Sequence, residues 1–137
     1  MRKTGLALVC LLAGCTTVGH RGIRPLRPLE LATAPYSDTV TEALTGSLMY
    51  EGGCLLFRDD ASKGLLLPLW PPGSIFNGTS VIFHSPARAD QPILIAQHFV
   101  MAGERQPWVA LAPATYAPFQ HQCVAQPFLV SEVRPAD

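Results

Sequence analysis

From Ser47 onward the chain consists of short apolar runs cut by Gly, Pro and polar pairs, a texture that predicts β-strands joined by tight turns. Ser47–Tyr50 and Cys54–Arg58 flank Glu51-Gly52-Gly53, a hairpin joint because glycine takes positive φ without steric cost. After the polar turn Asp59–Gly64, Leu65–Trp70 predicts a third strand. Pro68 cannot donate a ladder hydrogen bond, so this strand is expected at an edge or with a bulge. Trp70-Pro71-Pro72-Gly73 stops it, and Asn77-Gly78 turns the chain into Ser80–His84. A longer run spans Pro92–Met101 and ends at Ala102-Gly103-Glu104, Trp108–Leu111 predicts a short strand, and Phe128–Val133 predicts the last one. Thr39–Leu44 reads as a helical turn, and Ala112–Gln126, rich in Pro, Ala and Gln, as irregular. Roughly five to seven strands at spacings of about ten residues predict an all-β domain over residues 39–137, a small barrel or alternatively a β-sandwich.

The preceding stretch has a different texture. Thr16–Ala34 lacks apolar periodicity, and Pro25, Pro28 and Pro35 forbid a continuous helix. Residues 15–38 therefore read as a flexible tether, whose typical reach as mixed coil is about 25 Å. Arg21, Arg24 and Arg27 recur in it at every third position. A solvated basic linker is the simple reading, and contact with anionic lipid or an acidic envelope polymer the alternative.

At the start of the chain, Arg2 and Lys3 precede an apolar run from Leu6 to Ala13 and then small residues, the layout of an export signal over residues 1–14. The run is shorter than the about 20 apolar residues that span a bilayer. Leu12-Ala13-Gly14-Cys15 resembles the lipobox of bacterial lipoprotein signal peptides. The resemblance implies cleavage before Cys15 and lipid attachment to its sulfur, with the new amino terminus usually acylated as well. Cys10 fits less well, because Val9 stands where the family has a small residue. Two or three acyl chains hold a small domain durably, since each buried methylene contributes about 0.8 kcal/mol. Thr16, where Asp typically signals inner-membrane retention, implies an outer-membrane anchor facing the periplasm. An ordinary secretory signal that happens to contain cysteine is the competing reading.

Composition narrows the partners. The formal charge is zero, and loss of residues 1–14 removes Arg2 and Lys3, leaving eight basic against ten acidic residues. This argues against nucleic acid as a partner. With Cys10 lost and Cys15 lipidated, Cys54 and Cys123 remain, and an exported compartment permits a disulfide between them. The alternative is a reactive Cys54 thiol with His84, His98 or His121 as its base. Cys54 opens the second strand and Cys123 precedes the last. A bridge would pin those strands together and close a small OB-like barrel.

Gly46–Arg58 followed by Leu69-Trp70-Pro71-Pro72-Gly73 resembles a pattern in small uncharacterised exported bacterial domains. There a Gly-Cys-Leu hairpin precedes a Trp-Pro-Pro-Gly turn, and a later glycine and cysteine follow, places that Gly103 and Cys123 fill. The resemblance implies the β fold and the disulfide and carries no activity.

Candidate chemistry is sparse. Trp70 could present a rigid aromatic surface to a peptide or glycan, or plug one end of a barrel. His84 and His98 lack a visible third metal ligand, and Asp59 and Asp60 fit turn chemistry better than acid–base work with Glu51. Asn77-Gly78-Thr79 matches a glycosylation sequon but reads as a turn. No nucleophile elbow, His-Glu-x-x-His, phosphate loop or dinucleotide fingerprint occurs. The expectation is a non-enzymatic lipoprotein with no cofactor or metal, anchored to a membrane and binding or scaffolding an envelope protein or cell-wall polymer. The rival is a small envelope enzyme or metal-binding protein using Cys54 and a histidine.

Overall fold

The computed structural model describes residues 22–137. The expected leader, the lipobox, Cys15 and Arg21 lie outside the described residues. The first hairpin forms where the sequence predicts it. β1 (Glu42–Glu51) and β2 (Cys54–Asp59) pair antiparallel with Glu51 opposite Cys54. Gly52 and Gly53, at φ +61° and +81°, make the two-residue turn whose positive φ values match strand twist.

β1 also overrides the helical turn expected at Thr39–Leu44. Leu44 pairs with Met101 and packs on the core, so its strand partner decides its conformation. β3 (Leu65–Leu69), β7 (Phe99–Arg105) and β8 (Gln126–Pro135) complete a hydrogen-bonded ring in the order β1-β2-β3-β8-β7, with β3 and β8 parallel. Taken in chain order, the ring runs first, second, third, fifth, fourth, an OB-like connectivity. It is an uneven barrel, because β2 and β3 share only Phe57↔Leu66 and Arg58↔Leu65. Between β3 and β7, the strands β4 (Ile75–Phe76), β5 (Ser80–Ser85) and β6 (Arg88–Leu94) form a separate three-stranded sheet.

Two layers of core follow from the unbroken apolar runs of β2 and β3, which are buried on both faces. Leu55, Phe57, Leu66 and Trp70 join Leu48, Phe99, Met101 and Phe128 in the larger cluster, which Phe76, Val81, Phe83 and Ile93 of the small sheet extend. Cys54, Leu56, Leu67 and Leu69, on the alternate positions, meet Tyr116, Phe119 and Cys123 in the second cluster. The helix α1 (Pro113–Gln122) supplies those last contacts.

That helix corrects the irregular segment expected over Ala112–Gln126. Pro113 occupies the first turn, where no intrahelical N–H is needed, and Tyr116 and Phe119 anchor one face. Trp108–Ala110 forms a 3-10 turn in place of the expected strand. The run Pro92–Met101 is divided: Ala96 takes φ +70° and its N–H donates to the Leu48 carbonyl, which breaks the chain into β6 and β7. β7 then continues past Gly103, where a bulge sits against β8 and an added Cβ would overlap the Leu129 carbonyl.

Pro68 is not at an edge, since β3 lies between β2 and β8. The Trp70 N–H points away from β8 to Ala32. By strand alternation, the missing N–H of Pro68 faces the same side. The position falls beyond Leu66, the last β3 residue paired with β2.

The expected tether is also shorter than residues 15–38. Arg24 bonds Glu30, the Leu26 N–H donates to Gln122 Oε1, and the Leu29 N–H donates to the Tyr50 hydroxyl. Thr33 then forms a parallel bridge with Trp70, burying Ala32 and Ala34. Small side chains permit this close approach, so the strap from residue 24 to 34 is part of the domain.

Candidate functional site

Strand alternation sends Trp70 inward with Leu66, and its side chain is fully buried. The indole meets Phe83 edge-on at 6.2 Å between centroids, and its Nε1–H finds no protein acceptor. Trp70 is thus a core plug and offers no ligand surface. The exposed binding surface considered for it is ruled out by this orientation.

Cys54 and Cys123 form the disulfide, with Cα atoms 5.8 Å apart. It joins the start of β2 to the residue that caps α1, at whose last turn His121 stands. Cys54 is therefore no free thiol, and His84, His98 and His121 have no cysteine nucleophile to activate among the described residues. His84 Nδ1 lies 2.8 Å from Asp90 Oδ1 and His98 Nδ1 lies 3.0 Å from Asp60 Oδ2. Both pairs are exposed, where such contacts contribute little. Among the described residues, no three His, Cys, Asp or Glu side chains gather where a metal ion could sit. Asp59 is occupied structurally, accepting from the Ser62 hydroxyl and N–H at 2.6 and 3.0 Å, and Asn77 Oδ1 likewise ties its own turn to Thr79 and Ser80.

A sizeable concavity lies elsewhere, on the outer face of the ring. Its volume is about 560 Å³, within the usual span of about 300–1,000 Å³ for small-ligand sites. Leu69 of β3 and Leu129 of β8 form the floor, Thr33–Pro35 one wall, and Ala110–Ala112 with Tyr116 the other. Gln106 and Thr115 supply side-chain polar groups at its margin. Tyr116 fixes the walls to each other, because its hydroxyl donates to the Thr33 carbonyl at 2.7 Å. Burial pushes that phenol above its usual value, which keeps it a proton donor. The groove suits an apolar group with a hydrogen-bonding margin and holds no reactive pair.

None of these groove residues is a sequence candidate. The available signal was Ala112, Tyr116, Phe119 and Cys123 at helical spacing, masked by the prolines around them. Compared with known proteins, the chain matches no family model, no curated sequence and no solved structure.

Proposed function

We propose that the protein is a lipid-anchored envelope lipoprotein without catalytic activity, held through Cys15 at the periplasmic face of the outer membrane. Its β-domain binds or scaffolds another envelope component, a protein or cell-wall polymer, through the groove between the Thr33–Pro35 strap and α1. The Cys54–Cys123 disulfide carries this reading. Such bridges belong to oxidising compartments outside the cytoplasm, and this one uses both cysteines of the β-domain. The lipobox resemblance and the basic–apolar leader supply the route. Among the described residues no helix is long and apolar enough to cross a membrane.

The test is palmitate labelling in intact cells. The native protein takes up label and sediments with membranes, and Cys15→Ala does neither. Equal labelling of both proteins defeats the reading. A photo-crosslinking side chain at Thr115 then captures the envelope component, whereas the same probe at Leu94, an exposed position on the separate three-stranded sheet and outside the groove lining, does not.

A further inference from the structure

The docked strap shortens the leash between lipid and domain. Cys15 stands seven positions before Gly22, so the covalent chain between them spans at most about 25 Å even fully extended. From Leu26 the chain is fastened to one end of the domain. Leu26 is held at Gln122, in the last turn of α1, and Gln122 Nε2 donates in turn to the Gly52 carbonyl in the β1–β2 turn. Leu29 is held at Tyr50, the penultimate residue of β1.

This end also exposes apolar side chains. Ile23 is 47% exposed, Leu29 40%, Tyr50 37% and Val124, just beyond the disulfide, 90%. Charge is close to balanced: Arg24 is paired with Glu30, Glu51 stands at the turn, and the Arg27 guanidinium forms no ion pair among the described residues, although its main-chain N–H donates to Glu30. A surface with exposed aliphatic groups, an amphipathic tyrosine and a spare guanidinium fits the boundary between lipid headgroups and acyl chains.

We propose that this end of the domain, formed by residues 22–30, the β1–β2 turn and the C-terminal end of α1, rests on the bilayer as a membrane-facing surface. The proposal rests on the lipid-anchor reading and adds an orientation to it. The groove then opens beside the opposite, N-terminal end of α1, about 15 Å further along that helix, and stays reachable from the periplasm. Val40 precedes β1, whose ten residues put it about 30 Å from the membrane-facing turn.

The experiment uses the full-length lipidated protein in phosphatidylethanolamine–phosphatidylglycerol vesicles with brominated acyl chains, which quench nearby tryptophan. Ile23→Trp and Val124→Trp are compared with Val40→Trp, whose native side chain is 50% exposed, and with the native protein as the Trp70 and Trp108 baseline. Mass spectrometry verifies the lipid and the disulfide in each. The emission added by Ile23→Trp and Val124→Trp is expected to be largely lost in brominated vesicles, while that of Val40→Trp is unchanged. Equal quenching at all three sites, or none at any, overturns the orientation while leaving the anchor intact. Absence of any lipid mass on Cys15 in the mature native protein overturns the anchor reading itself.

Discussion

Thr33 runs parallel beside Trp70, and the tryptophan main chain is clasped from both directions: its N–H donates to Ala32 and its carbonyl accepts from Ala34, each at 2.9 Å. The contact joins the strap to the strand that carries the central plug of the core. Ala32 is almost fully buried in it, leaving no room for a larger side chain. Ala32→Leu is expected to lower stability by about 1–3 kcal/mol through overpacking, read by chemical denaturation. Limited proteolysis between residues 24 and 34 should accelerate in parallel, and unchanged cleavage would show that the strap is not held as described.

Substitutions at Trp70 separate two opposing effects. The indole fills the core, but its Nε1–H lacks a protein acceptor, and an unsatisfied buried donor costs about 1–3 kcal/mol. Trp70→Phe loses volume yet removes that donor, so the two effects offset to within about 1 kcal/mol. Trp70→Ala leaves only the cavity and should cost about 3–5 kcal/mol. Thermal unfolding of the two variants checks the contrast, which fails if phenylalanine is as damaging as alanine.

The disulfide closes a loop with a sequence separation of 69. On the chain-entropy account, this stabilises by about 4 kcal/mol, comparable with the net stability of about 5–15 kcal/mol typical of whole domains. Reduction, or the double change Cys54→Ala and Cys123→Ala, should move the urea midpoint sharply down. A shift of only a few tenths of a kilocalorie would contradict this.

Acid should weaken the turn after β2. Ser62 donates from both its hydroxyl and its N–H to Asp59, and the hydroxyl bond is the larger cause that holds this carboxyl below its ordinary value, against the opposing effect of burial. A lowered folded-state value means that the contribution is present above the unfolded aspartate value of about 3.9 and is lost as pH falls through the folded value. In Asp59→Asn this part of the acid-range slope disappears, while a wild-type carboxyl found by NMR to titrate at or above 3.9 would refute the cause given.

What could be read without coordinates follows the range of the interactions involved. Gly52-Gly53 between two apolar runs specifies the first hairpin locally, and the expectation of an exported chain is what suggests pairing Cys54 with Cys123. Ala96 is different: its left-handed conformation is stabilised by a bond to Leu48, far away in sequence, so Pro92–Met101 looks continuous. The prolines of α1 suggest a break because its stabilising contacts come from β2 and β3. Trp70 is ambiguous for the same reason, since only the ring shows which face of β3 is inside. The groove takes its floor and walls from residues near positions 34, 69, 111 and 129, and no local pattern announces such a meeting.

The parallel course of the strap beside Trp70 has a mechanical consequence. Tension arriving from the N-terminal side acts along the direction of the clasped main chains, so the Ala32 and Ala34 bonds share the force and must slide together before either yields. A pull on this segment would therefore be met by shear resistance at Trp70 before it could begin to unzip the ring.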